Sequence, residues 1–182
     1  MDVARVRAAP DDSAEQVTQL LRGEPVTVEE DRGEWARIRT KYGYPGWVRG
    51  AALSAEAPEL APRPPNRDVV DAARAYLGAP YEWGGMTERG VDCSGLVHMA
   101  YRRAGRVVPR DAHEQEAAAQ PVGEDELRRG DLVFFGEPER ADHVAFWLGE
   151  GRILHATTRD GLGVVEEPLD RVGAGPPRFA RL

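Results

Sequence analysis

The chain has 182 residues, of which 41% are hydrophobic and 30% are charged. This balance supports a folded core and excludes an intrinsically disordered chain. Acidic residues outnumber basic residues by 31 to 24, and the net charge of −7 argues against binding to nucleic acid or to anionic lipid. The single cysteine, Cys93, can form neither an internal disulfide nor a cysteine-rich zinc site. Its remaining uses are burial and nucleophilic chemistry.

The sequence predicts neither a signal peptide nor a membrane anchor. Residues 1–7 lack a long apolar run, and no later segment approaches the roughly 18 consecutive apolar residues that a transmembrane helix needs. We therefore expect a soluble protein without a membrane partner. The sequence leaves its oligomeric state open, and a monomer is favoured. Its expected location is the cytoplasm, or outside the cell if the chain was shortened from a secreted precursor.

A proline-rich segment divides the chain. Residues 55–66 contain prolines at positions 58, 62, 64 and 65, and such density favours an extended spacer over helix or sheet. We predict an N-terminal domain over residues 1–54, a linker over 55–66 and a C-terminal domain over 67–182.

The N-terminal domain has the pattern of short β-strands. Apolar and polar residues alternate in 24–30 and again in 35–40, a Gly33 turn separates the two, and 44–48 closes the unit. Period-two alternation with glycine turns predicts a small all-β barrel. The segment Gly46-Trp47-Val48 resembles a late motif of bacterial SH3-like domains.

The C-terminal domain has helix signals first and strand signals afterwards. Helical spacing of apolar residues covers 67–77 and 93–104, and the Asp-x-x-Glu capping pattern at Asp111 starts a third helix through Ala119. Strand patterns follow at 132–135, 143–148, 152–156 and 178–182. Helices followed by antiparallel strands predict an α+β domain.

The sequence places Cys93 at the start of the second of these helices, after a loop that contains Gly84, Gly85 and Gly90. Unpaired N–H groups and the positive end of the helix dipole favour a thiolate at such a position. A thiolate is a nucleophile, although a lone cysteine can equally be a small buried hydrophobe.

Two of the four histidines lie in strand patterns. If residues 149–151 form a three-residue loop, residues 148 and 152 pair, and so do 145 and 155. His143 and His155 then share one face as diagonal neighbours that can hydrogen-bond, whereas a two-residue loop would separate them. His98 is interpreted as a surface or packing residue, and His113 as solvated.

A cysteine and two histidines suit acyl transfer. In this interpretation His143 accepts the thiol proton, Cys93 attacks a carbonyl carbon, and His155 orients His143. The backbone N–H of Cys93 is a natural oxyanion donor at a helix start. Motifs for nucleotides, dinucleotides and HExxH zinc sites are absent, so we expect neither a cofactor nor a metal.

The combined motif resembles the NlpC/P60 cysteine peptidases. Asp92-Cys93-Ser94-Gly95-Leu96 is preceded by Pro80-Tyr81-x-Trp83-Gly84-Gly85 and followed by the two histidines. The resemblance covers nearly all of residues 67–182 and implies a papain-like core, a Cys-His-His triad and cleavage of cell-wall peptides. With an SH3-like domain ahead of it, the chain is similar to γ-D-glutamyl-L-diamino-acid endopeptidases.

The same resemblance implies roles for further residues. In the catalytic domain Tyr81 matches a tyrosine near the oxyanion, or is a core aromatic. Asp92 and Ser94 match positions that line the substrate groove, although Asp92 can equally be a helix cap. The segment Pro109-Arg110-Asp111-Ala112 matches one that, in the SH3-linked members of the family, helps to hold the free N-terminal L-alanine of the substrate. Asp111 can equally be only a cap, and some relatives have serine in place of Ala112.

Two residues of the N-terminal domain complete the implied substrate site. Tyr44 matches a tyrosine that closes the pocket, and Glu15 matches an acidic residue that receives the substrate ammonium, or is a solvated surface glutamate. Carboxylates around a pocket would select a free amine through charge-assisted hydrogen bonds.

Three functions follow as hypotheses. The first is an endopeptidase that cleaves between γ-D-Glu and the diamino acid of peptidoglycan stem peptides with a free N-terminal L-Ala, in recycling or turnover of the wall. The second is a papain-like amidase or acyltransferase for another substrate. The third is a cell-wall-binding module without catalysis.

Overall fold

A computed structural model describes residues 3–55, 68–137, 140–172 and 175–182 of the chain. The chain divides into two compact units, Met1–Pro64 and Pro65–Leu182. Apart from Ala55, the predicted linker lies outside the described residues. Within the described ranges, no helix combines the length and the apolar character that crossing a bilayer requires.

The described residues of the first unit form an antiparallel sheet of five strands: β1 (Val3–Arg7), β2 (Gln16–Leu21), β3 (Val26–Asp31), β4 (Trp35–Thr40) and β5 (Pro45–Arg49). Their order in the sheet is β2-β1-β5-β4-β3. A short 3₁₀ helix, Gly50–Ala52, follows the last strand. The core of this sheet consists of Val6, Leu20, Ala36, Ile38 and Val48.

Strands β3, β4 and β5 coincide with the three predicted segments, whereas β1 and β2 were not predicted. Strand β2 buries the polar residues Thr18 and Gln19, so it lacks the apolar alternation that marks a strand. Val28 is 52% exposed because β3 is an edge strand with a bulge between Val28 and Glu30. Alternation therefore identified the strand but not its buried face.

The described residues of the second unit form three α-helices: α1 (Val69–Arg74), α2 (Cys93–Arg103) and α3 (Ala112–Ala118). Helix α1 ends earlier than the predicted Leu77, because the N–H groups of Tyr76 and Leu77 bond to carbonyls three residues back and tighten the last turn. The side chain of Asp111 makes no capping hydrogen bond to α3, so the predicted capping box is wrong. The Asp-x-x-Glu spacing located the start of the helix but does not fix the rotamer of Asp111.

The strands of the second unit are β6 (Met86–Thr87), β7 (Gly90–Val91), β8 (Gln120–Pro121), β9 (Leu132–Glu137), β10 (Arg140–Gly149), β11 (Arg152–Thr157), β12 (Gly163–Pro168) and β13 (Arg178–Arg181). The main sheet is antiparallel, with strand order β12-β11-β10-β9-β13-β8, and β6 and β7 form a separate two-stranded sheet. The predicted strands at 132–135, 143–148, 152–156 and 178–182 are present, whereas β6, β7, β8 and β12 were not predicted. Short 3₁₀ helices lie at Glu124–Glu126, Arg159–Gly161 and Leu169–Arg171.

A row of apolar side chains on one face of the main sheet leads to the two strand histidines. Val133, Phe135, Ala145 and Ile153 form a buried cluster on this face. His143 is paired with Phe135, and the two rings lie 5.7 Å apart. His155 is two residues after Ile153 and therefore continues the same row. The fold thus places both imidazoles at the end of an apolar face.

Candidate active site

Cys93 is the first residue of α2, and Asp92 is the N-cap of that helix. The Asp92 carboxylate accepts a hydrogen bond from the Gly95 N–H at 2.6 Å, so the helix-cap interpretation of Asp92 is realised. Its other oxygen accepts from the Gly84 N–H at 2.7 Å. Asp92 therefore connects the glycine-rich loop to the helix that begins with the cysteine.

Arg110 pairs with Asp92, and sequence reasoning gave Arg110 no role of its own. Two guanidinium nitrogens lie 2.9 and 2.7 Å from the two carboxylate oxygens of Asp92. Arg110 also donates to the Ser94 hydroxyl at 2.9 Å and to the Gly85 carbonyl at 3.2 Å. Its side chain is only 1% exposed, and a guanidinium buried to this extent requires such partners.

This network uses the side chains of Asp92 and Ser94 to hold the start of α2. Both residues are buried, and their predicted role in lining the substrate groove stays a prediction. The motif requires glycine at position 95 for a steric reason. A Cβ on Gly95 would lie 2.3 Å from the Gly85 carbonyl oxygen. The Asp-Cys-Ser-Gly spacing thus brings the loop into close contact with the first turn of the helix.

The Cys93 thiol is buried, and its pKa is raised to about 12. Burial is the largest cause and the negative charge of Asp92 adds to it, whereas hydrogen bonds from the backbone N–H groups of Val144 and Ser94 act in the opposite direction. Backbone donation occurs at the helix start as expected, but burial outweighs it. The expectation that this position favours a thiolate is therefore wrong for the resting protein.

The Cys93 sulfur contacts the Val144 backbone where strands β10 and β11 separate. Pairing between β10 and β11 runs from Gly149–Arg152 to Phe146–Leu154. Val144 lies beyond that end of the ladder, and its N–H is directed to the Cys93 sulfur. The cysteine is thereby held beside the backbone of the residue that follows His143.

The hairpin between β10 and β11 differs from the predicted loop. Gly149 pairs with Arg152, so the connection is a two-residue turn, Glu150–Gly151, in which both residues have positive φ (52° and 70°). The predicted pairing of residues 148 and 152 is wrong. A bulge between Trp147 and Gly149 offsets the shorter turn and restores the predicted register from Trp147–Ile153 onward.

His143 and His155 consequently lie on the same face. The Nε2 atom of His143 is 2.7 Å from the Nδ1 atom of His155, and the rings meet edge to face at 5.0 Å. This side-chain hydrogen bond joins β10 and β11 beyond the end of their backbone ladder. The two imidazoles are connected as the strand parity predicted.

A second bulge sets the face on which His143 lies. Ala141 pairs with Gly136 and His143 pairs with Phe135, so Asp142 is an extra residue in β10. Without it, His143 would be shifted by one position and would point to the opposite face of the sheet. Gly136 has a φ of 99°, and a Cβ there would lie 2.7 Å from the Asp142 carboxylate.

Burial keeps both imidazoles neutral near neutral pH. It lowers the pKa of His143 to about 3, with a further decrease from the neighbouring His155. Burial also lowers the pKa of His155, although the Glu167 carboxylate opposes that effect. A neutral imidazole has a lone pair on one ring nitrogen and can act as a base.

Glu167 is a site residue that sequence reasoning missed. Its Oε1 atom lies 2.8 Å from Nε2 of His155, and its Oε2 atom accepts a hydrogen bond from Arg159. Burial raises the pKa of Glu167, but the hydrogen bonds from Arg159 and His155 outweigh that effect and hold it below its usual value. Glu167 lies in β12, whose Val-Val-Glu-Glu run shows no alternation that would have identified the strand.

Tyr81 forms a parallel bridge with Val91, two residues before Cys93. Its phenol pKa is raised, chiefly by burial, then by electrostatic interaction with Cys93 when that thiol is ionised, and by the negative charge of Asp92. These electrostatic contributions mean that the phenol is near the cysteine, and the raised pKa keeps its proton in place. Tyr81 can therefore donate a hydrogen bond at neutral pH.

The other predicted site residues are placed as follows. Asp111 precedes α3, and Ala112 is its buried first residue. Tyr44 and Glu15 belong to the first unit, where Tyr44 is partly buried and Glu15 is exposed. The substrate-binding roles of these four residues stay predictions.

The two remaining histidines are not part of this cluster. His98 is buried, bonds through Nδ1 to the Val108 carbonyl at 2.8 Å, and has a pKa lowered to about 4, chiefly by burial. Of the two interpretations of His98, a surface residue or a packing residue, the second is therefore correct. His113 is exposed, as predicted. In the part of the chain that the structure describes, no group of three or more His, Cys, Asp or Glu side chains is arranged to hold a metal ion.

Comparison with known families agrees with this fold. Residues 78–171 match the model of the NlpC/P60 family, and residues 2–54 match the model of a bacterial SH3 domain. The first match covers just over half of the chain, and the chain belongs to the NlpC/P60 family. Its fold is an α+β papain-like domain preceded by a small all-β SH3-like domain.

Relatives of known name match the second unit. The γ-D-glutamyl-L-lysine dipeptidyl-peptidase of Bacillus cereus is 35% identical over 98 residues, which are 52% of this chain and 29% of that protein. The bifunctional muramidase/DL-endopeptidase CwlT of Bacillus subtilis is 44% identical over 92 residues, which are 48% of this chain and 28% of that protein. This chain therefore spans less than a third of the length of either relative.

A solved structure matches the whole chain. The crystal structure of an NlpC/P60 family protein from Bacillus cereus aligns with 100% of this chain and 97% of its own length, with a TM-score of 0.84. Because the sequence identity is 21%, this likeness concerns the fold alone.

Proposed function

We propose that this protein is a cysteine endopeptidase that hydrolyses the bond between γ-D-Glu and the L-diamino acid of peptidoglycan stem peptides with a free N-terminal L-Ala. The observation that carries the proposal is the hydrogen-bonded His143–His155 pair beside the cysteine, whose sulfur receives the N–H of the residue after His143. The names of the relatives, a γ-D-glutamyl-L-lysine dipeptidyl-peptidase and a DL-endopeptidase, support the peptide bond chosen.

Acylation begins from a neutral thiol and a neutral imidazole. Since the pKa of Cys93 is raised and that of His143 is lowered, the proton remains on sulfur in the resting protein. His143 accepts this proton as the sulfur attacks the γ-carbonyl carbon of D-Glu. The C=O π bond opens as the S–C bond forms, and the negative charge moves to the carbonyl oxygen.

The charge on that oxygen needs donors at the helix start. The Cys93 backbone N–H at the first turn of α2 and the protonated Tyr81 phenol are the groups proposed for this role. Collapse of the intermediate breaks the C–N bond, and His143 returns its proton to the leaving amine of the diamino acid. His143 then takes a proton from water as the water oxygen attacks the thioester carbon; the C–S bond breaks, the proton returns to the Cys93 sulfur, and L-Ala-γ-D-Glu is released.

The test uses a small panel of peptides. L-Ala-γ-D-Glu-diaminopimelate, L-Ala-γ-D-Glu-L-Lys, their N-acetylated forms and a panel of simple amides are incubated with the protein, and products are identified by mass spectrometry. We expect release of the diamino acid from the free-amine peptides and at least tenfold slower release from the acetylated ones. Turnover of the simple amides without turnover of stem peptides would instead establish the amidase hypothesis.

Peptides with a free N-terminal L-Ala are no longer attached to glycan, so we propose that the protein acts on released peptides in the cytoplasm. Cosedimentation with purified sacculi tests whether the protein acts on released peptides and not on the intact wall. We expect weak binding to the sacculi. Tight binding to sacculi without peptide cleavage would favour a wall-binding module.

A further inference from the structure

A chain of hydrogen bonds extends behind His143. Nε2 of His143 lies 2.7 Å from Nδ1 of His155, and Nε2 of His155 lies 2.8 Å from the Glu167 carboxylate. Arg159 bonds to the other oxygen of Glu167. The four groups lie in series, from the candidate base to a paired carboxylate.

By itself, a hydrogen-bonded pair of neutral imidazoles does not determine which ring nitrogen of each carries the proton. If His155 carries its proton on Nδ1, it donates to Nε2 of His143, and the proton of His143 must then be on Nδ1. If the order is reversed, His143 donates from Nε2, and its Nδ1 atom keeps a lone pair. Only the second arrangement leaves a base on the ring nitrogen that is not used by His155.

The carboxylate removes this ambiguity. An ionised carboxylate only accepts hydrogen bonds, so the His155 nitrogen that faces Glu167 must carry a proton. A neutral His155 then has its lone pair on Nδ1, and His143 must donate to it from Nε2. The ion pair with Arg159 keeps this carboxylate charged, and the side chain, which is only 12% exposed, is held in position by the residues around it.

We propose that Glu167 is a positioning residue that sets the tautomers of both imidazoles and leaves Nδ1 of His143 as the base. Strand register supports this geometry, because His155 is paired with Val165, and Glu167 is its diagonal neighbour on the same face of β12. The effect on turnover rests on the proposed function, whereas the tautomer assignment does not.

The Glu167→Gln variant tests the proposal, because Arg159 fixes the orientation of the new amide. Arg159 only donates, so the amide oxygen has to face it and the NH₂ group has to face His155. His155 would then accept at Nε2 and carry its proton on Nδ1. Both imidazoles are thereby forced into the reversed arrangement, without loss of side-chain volume.

The first measurement is the ring-nitrogen NMR spectrum of the full chain labelled with ¹⁵N-histidine, at pH 7. We expect Nε2–H tautomers for His143 and His155 in the wild type, and Nδ1–H tautomers for both in Glu167→Gln. A wild type with Nδ1–H on His143 would overturn the proposal, and so would a folded Glu167→Gln protein with unchanged tautomers. The wild-type spectrum decides the question even if the variant does not fold.

The second measurement is the turnover of the stem tripeptide. We expect kcat to fall by about 10³-fold or more in Glu167→Gln with KM nearly unchanged, since a wrong tautomer removes the base but not the binding site. Glu166→Gln is the matched control, because it breaks the neighbouring ion pair of β12 with Arg74 and should retain wild-type kcat. Predicted tautomers in a wild type without peptidase activity would reject the proposed function and leave the assignment in place.

Discussion

Arg110 and Asp92 form a buried two-point ion pair directly behind the start of the helix that carries Cys93. The side chains are 1% and 7% exposed, and the two N–O distances are 2.9 and 2.7 Å. The pair also engages Ser94 and Gly85, so it fixes the cysteine relative to the glycine-rich loop. We infer that this ion pair holds Cys93 in position for nucleophilic attack.

Breaking this pair should cost far more than breaking a surface pair. Arg110→Ala leaves the Asp92 charge buried and unpaired, so we expect the free energy of unfolding to fall by about 3–5 kcal/mol. Arg129→Ala is the control, because Arg129 pairs with Asp68 and Asp71 on the surface, where the loss should be about 1 kcal/mol or less. Equal losses in urea unfolding would contradict this account of Arg110.

The resting cysteine should react as a neutral thiol. Because its pKa is raised to about 12, the rate of alkylation by iodoacetamide should rise continuously between pH 6 and pH 9. The rate at pH 7 should also be lower than that of glutathione under the same conditions. A plateau of fast alkylation at and below pH 7 would instead demonstrate a preformed thiolate–imidazolium pair.

Acid should destabilise the protein partly through His143. Its pKa is lowered from 6.5 to about 3 in the folded protein, so the unfolded chain binds more protons as the pH falls from about 6.5 towards 3. The stability that it contributes is complete above pH 6.5 and decreases by up to about 1.4 kcal/mol per pH unit below it.

The pH dependence of urea unfolding checks this, with His143→Gln compared with the wild type. We expect a smaller loss of stability between pH 6.5 and pH 4 in the variant. His113→Gln, at an exposed position, is the matched control and should keep the wild-type slope. An unchanged slope in His143→Gln would show that His143 is not held neutral by the fold.

The bulge at Asp142 should matter more for activity than for folding. Gly136→Ala combines an unfavourable positive φ with a Cβ 2.7 Å from the Asp142 carboxylate, so we expect it to disturb the bulge that orients His143. Stability should fall by about 1–3 kcal/mol and kcat by at least tenfold.

Gly105→Ala separates the two effects, because Gly105 has a φ of 83° but open space around its Cβ position. This control should lose stability and keep its kcat. If Gly136→Ala retained full kcat while losing stability, the bulge would have no part in orienting the histidine.

Much of this architecture could be read from the sequence because its signals are local. A cysteine after a glycine-rich loop, with Asp92 before it, predicts a helix start, and strand parity predicts that His143 and His155 share a face. The two histidines share the predicted face although the loop is shorter than predicted, because a bulge compensates for the shorter turn. Bulges depend on the partner strand and leave little trace in one sequence.

The residues that sequence reasoning missed act through long-range contacts. Arg110 is one of many arginines in the chain, and only its burial against Asp92 distinguishes it. Glu167 follows Glu166, and the two are equivalent until β12 is paired with β11. That pairing directs Glu167 to His155 and Glu166 to Arg74. Such roles require the register of the sheet, which local patterns do not provide.

The most direct test of the central claim is release of the diamino acid from L-Ala-γ-D-Glu-diaminopimelate by the wild type and by Cys93→Ala, measured under identical conditions. The proposed mechanism predicts steady release by the wild type. It also predicts that release by the folded Cys93→Ala protein falls by at least 10³-fold, since the variant has no sulfur to form the thioester. Undiminished release by Cys93→Ala, or none by the folded wild type, would contradict the claim that this protein is a cysteine endopeptidase for stem peptides.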